Sequence, residues 1–290
     1  MEKRLLLLGM VFVLVCVLSP STFALGYIGR PTAELRKGQW SVGFDYSYST
    51  QDLERTKVKV NEVGDDGGYY SDRYRYKADI EDFTTQRYYG RVAVGINDSW
   101  TLYGQLGGAD VKWDYTVPEW GDAEWGYNFD NDFAWGWGTK FTFAKNPKTS
   151  WGAALQMNWL NTEWSDKHSY EDPDYRESWQ HDADLETWDL LVAVGPTIDM
   201  GGWRLYGGPF YYYLCGDYDL KDTGTWEEYD DGLDSGYWNI RESADLRAKD
   251  NFGGYIGAEI DVSKTCNAAI EFSATGSGWG AAAGLTFLCK

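Results

Sequence analysis

Between Phe133 and Phe143 large apolar side chains fall on alternate positions, Phe133, Trp135, Trp137, Phe141 and Phe143, with Ala134, Gly136, Gly138, Lys140 and Thr142 between them. A period of two is the signature of a strand with one bulky face and one small or polar face. After Asn146-Pro147-Lys148 the pattern restarts, with Trp151, Ala153, Leu155, Met157 and Trp159 against Gly152, Ala154, Gln156 and Asn158, which predicts a hairpin. The same alternation predicts strands at 38–50, 84–96 and 100–115, one led by Trp188, one from Trp203, one at 252–262, and two more around Ala268–Ala274 and Trp279–Phe287. That makes ten. In the third strand Val111, Trp113 and Tyr115 fall on the opposite parity from Leu102, Gly104 and Leu106, so a bulge is expected near Gly107-Gly108. Pro209 is awkward for a paired strand.

Connections alternate in length. Segments 51–83, 116–132, 160–186 and 217–251 read as long loops, and short turns lie around Asn97-Asp98, Asn146–Lys148, Asp199–Gly202 and Ser263–Thr265. Trp40, Trp100, Trp151 and Trp203 each open a strand at the short-turn end, specifying a ring of indoles such as a membrane interface selects. With bulky faces toward lipid and small polar faces inward, the expectation is an all-β, up-and-down antiparallel transmembrane β-barrel of about ten strands, with long acidic external loops and short periplasmic turns.

The ends and the charge refine this picture. Residues 1–24 read as a signal peptide: Lys3 and Arg4, an apolar run from Leu5 to Leu18, then Thr22 and Ala24 before a cleavage site ahead of Leu25. Residues 25–37 form a periplasmic lead-in to which no function attaches, and 38–290 form the barrel. The chain holds 45 acidic and 26 basic residues, a net charge of −19 that disfavours nucleic acid as a partner. The four long segments hold 34 of the acids and 12 of the bases, so the charge belongs to solvated surface and the lipid-facing strands carry almost none.

With its signal, Trp-started strands, loop asymmetry and aromatic last strand, the chain resembles the small outer-membrane β-barrel proteins, the group that includes OmpA-like and OmpW-like barrels. The resemblance implies an outer-membrane location, a monomer, contact with outer-membrane lipid and lipopolysaccharide, and insertion by the barrel-assembly machinery. One departure is that Phe287 is followed by Leu288-Cys289-Lys290 where such barrels commonly end on the aromatic.

The inward faces carry Asp45, Arg87, Arg91, Lys140, Asp189, Arg204, Glu259 and Glu271, four bases and four acids. Buried charges pair, so these residues predict an ion-pair network in the lumen, compatible with a filled barrel or a narrow small-solute pore. No cofactor is implied. The function expected is a non-enzymatic structural surface protein or narrow channel; the alternative is an adhesin or receptor using acidic, aromatic loops. A further alternative resembles the omptin proteases, on Asp130-Asn131-Asp132 and Asp166-Lys167-His168, although the omptin Asp-His pair comes from a different loop; a soluble secreted β-protein is the last. No His/Cys cluster has zinc-like spacing. Acidic runs such as Glu171-Asp172-Pro173-Asp174 and Glu227–Asp231 are candidates for weak divalent-cation binding. Cys266 and Cys289 would bridge at the lower rim if the last hairpin turns on Ser277-Gly278; a turn on Gly276-Ser277 shifts the partners by two residues.

Overall fold

Alternating strands joined by tight turns can satisfy their backbone groups only by pairing with one another, and they do so in chain order. The computed structural model describes residues 26–65, 68–117, 123–229 and 234–289; the signal peptide read at 1–24 lies outside the described residues. Among the described residues there are eleven strands: β1 (Trp40–Asp65), β2 (Tyr69–Asn97), β3 (Trp100–Val117), β4 (Ala123–Lys145), β5 (Thr149–Glu171), β6 (Tyr175–Asp199), β7 (Trp203–Glu228), β8 (Asp234–Ala248), β9 (Phe252–Asp261), β10 (Cys266–Thr275) and β11 (Gly278–Cys289). All pairings are antiparallel, and β11 closes on β1.

At the short-turn end, called lower here, the ring runs β1 through β7 and then β9, β10 and β11, which gives ten strands. β8 and β9 are two halves of one descending path broken at Lys249–Asn251, and both pair with β7. Above the break β8 pairs with β1 as well, so the β10–β11 hairpin is left below. The exchange of partners happens at Asp52: Gln51 faces Gly278 of β11 and Leu53 faces Ala248 of β8. Between them the Asp52 amide donates to Ser277 O at 2.7 Å and its carbonyl accepts from Lys249 N at 3.3 Å. The upper sheet therefore has eight strands, in the order β4-β3-β2-β1-β8-β7-β6-β5. It is open between β4 and β5, whose ladder ends at Ala134 and Leu160.

Most of what the sequence marks as long loops is strand. β1, β2 and β4 to β8 carry those segments upward as continuations of the ring, and the links between hairpins are short. The side-chain pattern inverts on the way up. Below, large apolar residues point outward: Leu106 is 61% exposed, Phe133 63% and Phe252 74%. Above, they point inward and pack on each other, with Leu53, Val58, Phe83, Val111, Trp113, Phe129, Leu185 and Leu246 in one buried cluster.

β3 shows why the sequence suggested a slipped phase. Thr101, Tyr103, Gln105, Ala109, Val111 and Trp113 are all buried and all odd-numbered, so the strand keeps its phase. What changes is the lining of the interior, from polar to apolar. The irregularity is real but lies in the facing strand, where Phe129 and Asp132 oppose Val111 and Ala109 with two β4 residues between them against one in β3. Pro209 is accommodated because β6–β7 pairing lapses between Ala193↔Phe210 and Thr197↔Tyr206, while Pro209 keeps its place opposite Gly254 of β9.

Trp40, Trp100 and Trp203 begin β1, β3 and β7, and Trp151 is the third residue of β5, so the four stand at the lower rim. A second aromatic belt, which the sequence did not single out, stands at the other edge of the outward apolar surface. There Trp135 stacks on Trp159 at 4.4 Å, Tyr48 meets Trp279 at 5.4 Å, Trp188 meets Tyr213 at 5.4 Å and Tyr211 meets Phe252 at 5.1 Å. From Phe143 to Phe133 the strand rises roughly 34 Å along its length. Tilted as barrel strands are, that spans about 25 Å, the height of a lipid-facing band.

Candidate functional site

The lumen is occupied at two levels. At the lower level residues 26–36, which the sequence left as a lead-in without function, run inside the ring, with Tyr27, Ile28, Thr32 and Leu35 buried. The Ile28 and Gly29 amides each donate at 2.8 Å to the two oxygens of Glu271. Glu34 pairs with Lys140 at 2.5 Å, Arg30 with Glu259 at 3.4 Å, and the Thr32 and Thr197 hydroxyls meet at 2.9 Å. Gly152 makes room for this segment, since a Cβ there would lie 2.6 Å from the Pro31 carbonyl oxygen.

All eight charges expected in the lumen face it. Six pair among themselves: Asp45 with Arg91 at 2.9 Å, Arg87 with Asp189 at 2.6 Å and Arg204 with Glu259 at 2.5 Å. The other two, Lys140 and Glu271, hold the inserted segment. Neutral amides join two of the pairs across the lumen. Arg91 donates to Gln105 at 3.1 Å, Gln105 to Asn158 at 2.6 Å and Asn158 to Asp189 at 2.7 Å. The Arg91 guanidinium also stands 4.5 Å from the centre of the Tyr103 ring. Sequence reasoning missed Arg30 and Glu34, because a short polar stretch outside any strand gives no sign of lying inside a barrel. Above this network the apolar cluster fills the second level.

The upper sheet is concave toward its inner face, and register fixes what lines it. One rung reads Tyr70, Gly64, Trp238, Gly224, Trp179, His168 across β2, β1, β8, β7, β6 and β5. Rings alternate with glycines, and neighbouring rings lie over them. A Cβ on Gly224 would lie 2.0 Å from Trp238, one on Gly64 2.4 Å from Tyr70, and one on Gly236, a rung higher, 2.4 Å from Trp226. The rung below is polar at four of its five positions, reading Glu62, Ile240, Asp222, His181 and Asp166 across β1, β8, β7, β6 and β5. Trp238 Nε1 donates to Asp222 Oδ1 at 2.9 Å, and His181 Nε2 stands 3.5 Å from the same oxygen. His181 packs edge-on to Trp179 at 4.5 Å. Tyr70, Trp179, Trp226 and Trp238 line an open cavity of about 370 Å³.

Asp132 sits where the β4–β5 ladder ends, its Oδ2 accepting from the Thr162 hydroxyl and, at 3.2 Å, from the Glu163 amide. That is a structural cap in place of the missing ladder. The Asp130 side chain lies outside the described residues. His168 lies at 5.2 Å from Trp179, and Asp166 is the register partner of His181. Asp172 serves its own turn, accepting from the Asp174 amide at 2.9 Å, the Tyr175 amide at 2.8 Å and the Tyr170 hydroxyl at 2.9 Å. The Asp174 amide and the Tyr170 hydroxyl hold its carboxyl below the ordinary range. Among the described residues no three His, Cys, Asp or Glu side chains converge where they could hold a metal ion. The proposed Cys266–Cys289 disulfide is not formed. The last hairpin turns on Gly276-Ser277, which puts Cys266 opposite Phe287, two residues from Cys289, and Cys215, Cys266 and Cys289 are all free thiols.

No family model and no curated protein matches the sequence. Among solved structures, the outer membrane protease OmpT of Escherichia coli is 8% identical over 89% of this chain and 99% of its own, with a TM-score of 0.42. The translocator domain of the autotransporter NalP of Neisseria meningitidis is 10% identical over 88% of this chain and 89% of its own, at 0.40. The attachment invasion locus protein Ail of Yersinia pestis is 10% identical over 87% and 99%, at 0.23.

Proposed function

We propose that the chain is a non-enzymatic, monomeric outer-membrane barrel that acts as a structural surface protein and conducts no solute. The observation that carries this reading is the double closure of the lumen, by residues 26–36 with their ion pairs below and by the apolar cluster above. Hydrophobic constrictions close a pore to water and ions, and the upper level is packed with apolar side chains, Leu53, Phe83, Trp113 and Leu246 among them, around the Arg55–Glu242 pair. The outward apolar surface between two aromatic belts supports a membrane setting, with lipid and lipopolysaccharide as its neighbours and the barrel-assembly machinery as its route there. The test is single-channel recording of the refolded full chain in planar bilayers. No conductance steps above the bare membrane are expected; regular steps would refute the reading.

The cavity under Trp238 favours the receptor alternative as a second role of the same surface. The acidic upper sheet, with its outward charges, would then present that cavity to the exterior.

A further inference from the structure

Three features of the upper cavity bear on what it can hold. Three of its four rings are seated on glycines, Tyr70 on Gly64, Trp238 on Gly224 and Trp226 on Gly236, where a side chain would collide with the ring. The Trp238–Asp222 hydrogen bond locks one ring to one carboxylate at 2.9 Å. And every residue lining the cavity that is charged at neutral pH is an acid, namely Glu62, Asp65, Glu177 and Asp222, beside His181 and the phenols of Tyr70 and Tyr237.

Each ligand class meets these features differently. An inorganic cation needs oxygens converging on one point, and among the described residues no three acids or histidines converge in that way. A neutral sugar would stack on the indoles but would strip water from the carboxylates and give no charge in return. An anion is repelled. An organic cation with a flat or alkylated head answers both halves of the lining, since indole faces attract cations and are best among the aromatics at doing so. The carboxylates then supply counter-charge at the rim of the rings.

We propose that the upper cavity is a binding site for an organic cation, a guanidinium or alkylammonium group held against Trp179, Trp226 and Trp238, with Glu62 and Asp222 as its counter-charges. A head group of this kind on a side chain, a polyamine or a small metabolite fits about 370 Å³. The proposal goes beyond the surface-protein reading and does not rest on it: conductance would refute that reading and leave the site standing.

The experiment uses the folded full-length chain in detergent micelles, titrated with arginine amide and with citrulline amide, which keeps the shape and lacks the charge. Binding is followed by tryptophan fluorescence and calorimetry. Arginine amide is expected to bind saturably and citrulline amide at least about tenfold more weakly, the scale of a lost charge contact in a partly desolvated site. Glu62→Gln with Asp222→Asn should weaken arginine amide by about the same factor while circular dichroism is unchanged. Trp179→Phe, which keeps a ring, should cost less than Trp179→Leu. Equal affinity for the two amides would overturn the proposal, as would displacement by an equimolar amount of Ca²⁺. So would the absence of saturable binding to the folded wild type up to about 10 mM, tenfold above a Kd of about 1 mM.

Discussion

Glu271 holds Ile28: the carboxylate of the one accepts the backbone amide of the other at 2.8 Å, and the second oxygen takes Gly29. A barrel wall residue thus satisfies two amides of a segment that makes no ladder of its own. Glu271→Ala should loosen the segment, costing about 1–3 kcal/mol for the amides left unsatisfied. Limited proteolysis should then cut within residues 26–36 faster than in the wild type. The apolar level above stays shut, so the variant is still expected to give no channel activity.

The lumen chain makes Arg87 and Asp189 a second test. Both are buried and paired at 2.6 Å. Asp189→Leu alone strands a guanidinium and should destabilise by about 3–5 kcal/mol, whereas Arg87→Met with Asp189→Leu should recover much of that loss. Equilibrium unfolding in urea from lipid vesicles measures the three variants. If the double variant is no better than the single, the charges matter to assembly in some other way than as a pair.

Inversion of the pattern along β3 gives a prediction for the same strand at two heights. Leu102 points outward in the lower part, opposite Thr139 near the middle of the span from Phe133 to Phe143, and Lys112 points outward in the upper part. Leu102→Arg should cost about 2–4 kcal/mol, the cost of such a charge near the bilayer midplane. Lys112→Leu should change stability by no more than about 0.5 kcal/mol. Equal costs at the two sites would mean that the lipid boundary lies elsewhere.

Free thiols make a simple prediction for the cysteines. Denatured without reductant, the chain that begins after residue 24 should take up three alkylating groups by mass, one each at Cys215, Cys266 and Cys289. An uptake of one would restore the disulfide.

In the β5–β6 turn, the folded pKa of Asp172 is depressed by the Asp174 amide and the Tyr170 hydroxyl. The sign follows: its contribution is present above the unfolded carboxylate value of about 3.9 and is lost as pH falls through the lower folded value. Titration followed by carbon NMR of the carboxyl should give a midpoint below that of a free Asp. A midpoint at or above it would show that the turn is not formed in solution.

Much of the ring was legible because lipid on one side and a narrow lumen on the other impose strict alternation, as Phe133 to Phe143 shows. All eight lumen charges followed from that parity. The upper sheet was not legible, for a physical reason: once the outside is water, the apolar face turns inward. Leu53, Val58 and Val60 lie inside, Glu54 and Lys59 outside, and an irregularity between Arg55 and Val58 breaks the count. Judged against a lipid-facing template, such a strand looks like an acidic loop. Residues 26–36 escaped notice because their fit to Glu271, Lys140 and Glu259 is made with parts of the chain more than 100 positions away.

The exchange of partners at Asp52 leaves the β10–β11 hairpin ending at Gly276-Ser277 while its neighbours climb on. The molecule accordingly has a front and a back about its own axis. Around most of the ring β-structure rises out of the apolar band, parted at the seam between β4 and β5, whereas at β10 and β11 there is a ledge at the height of the upper aromatic belt. Molecules lying in the plane of the bilayer surface meet a different contour depending on the direction from which they arrive, so crowding around this barrel would be oriented even though a ring of strands by itself has no preferred side.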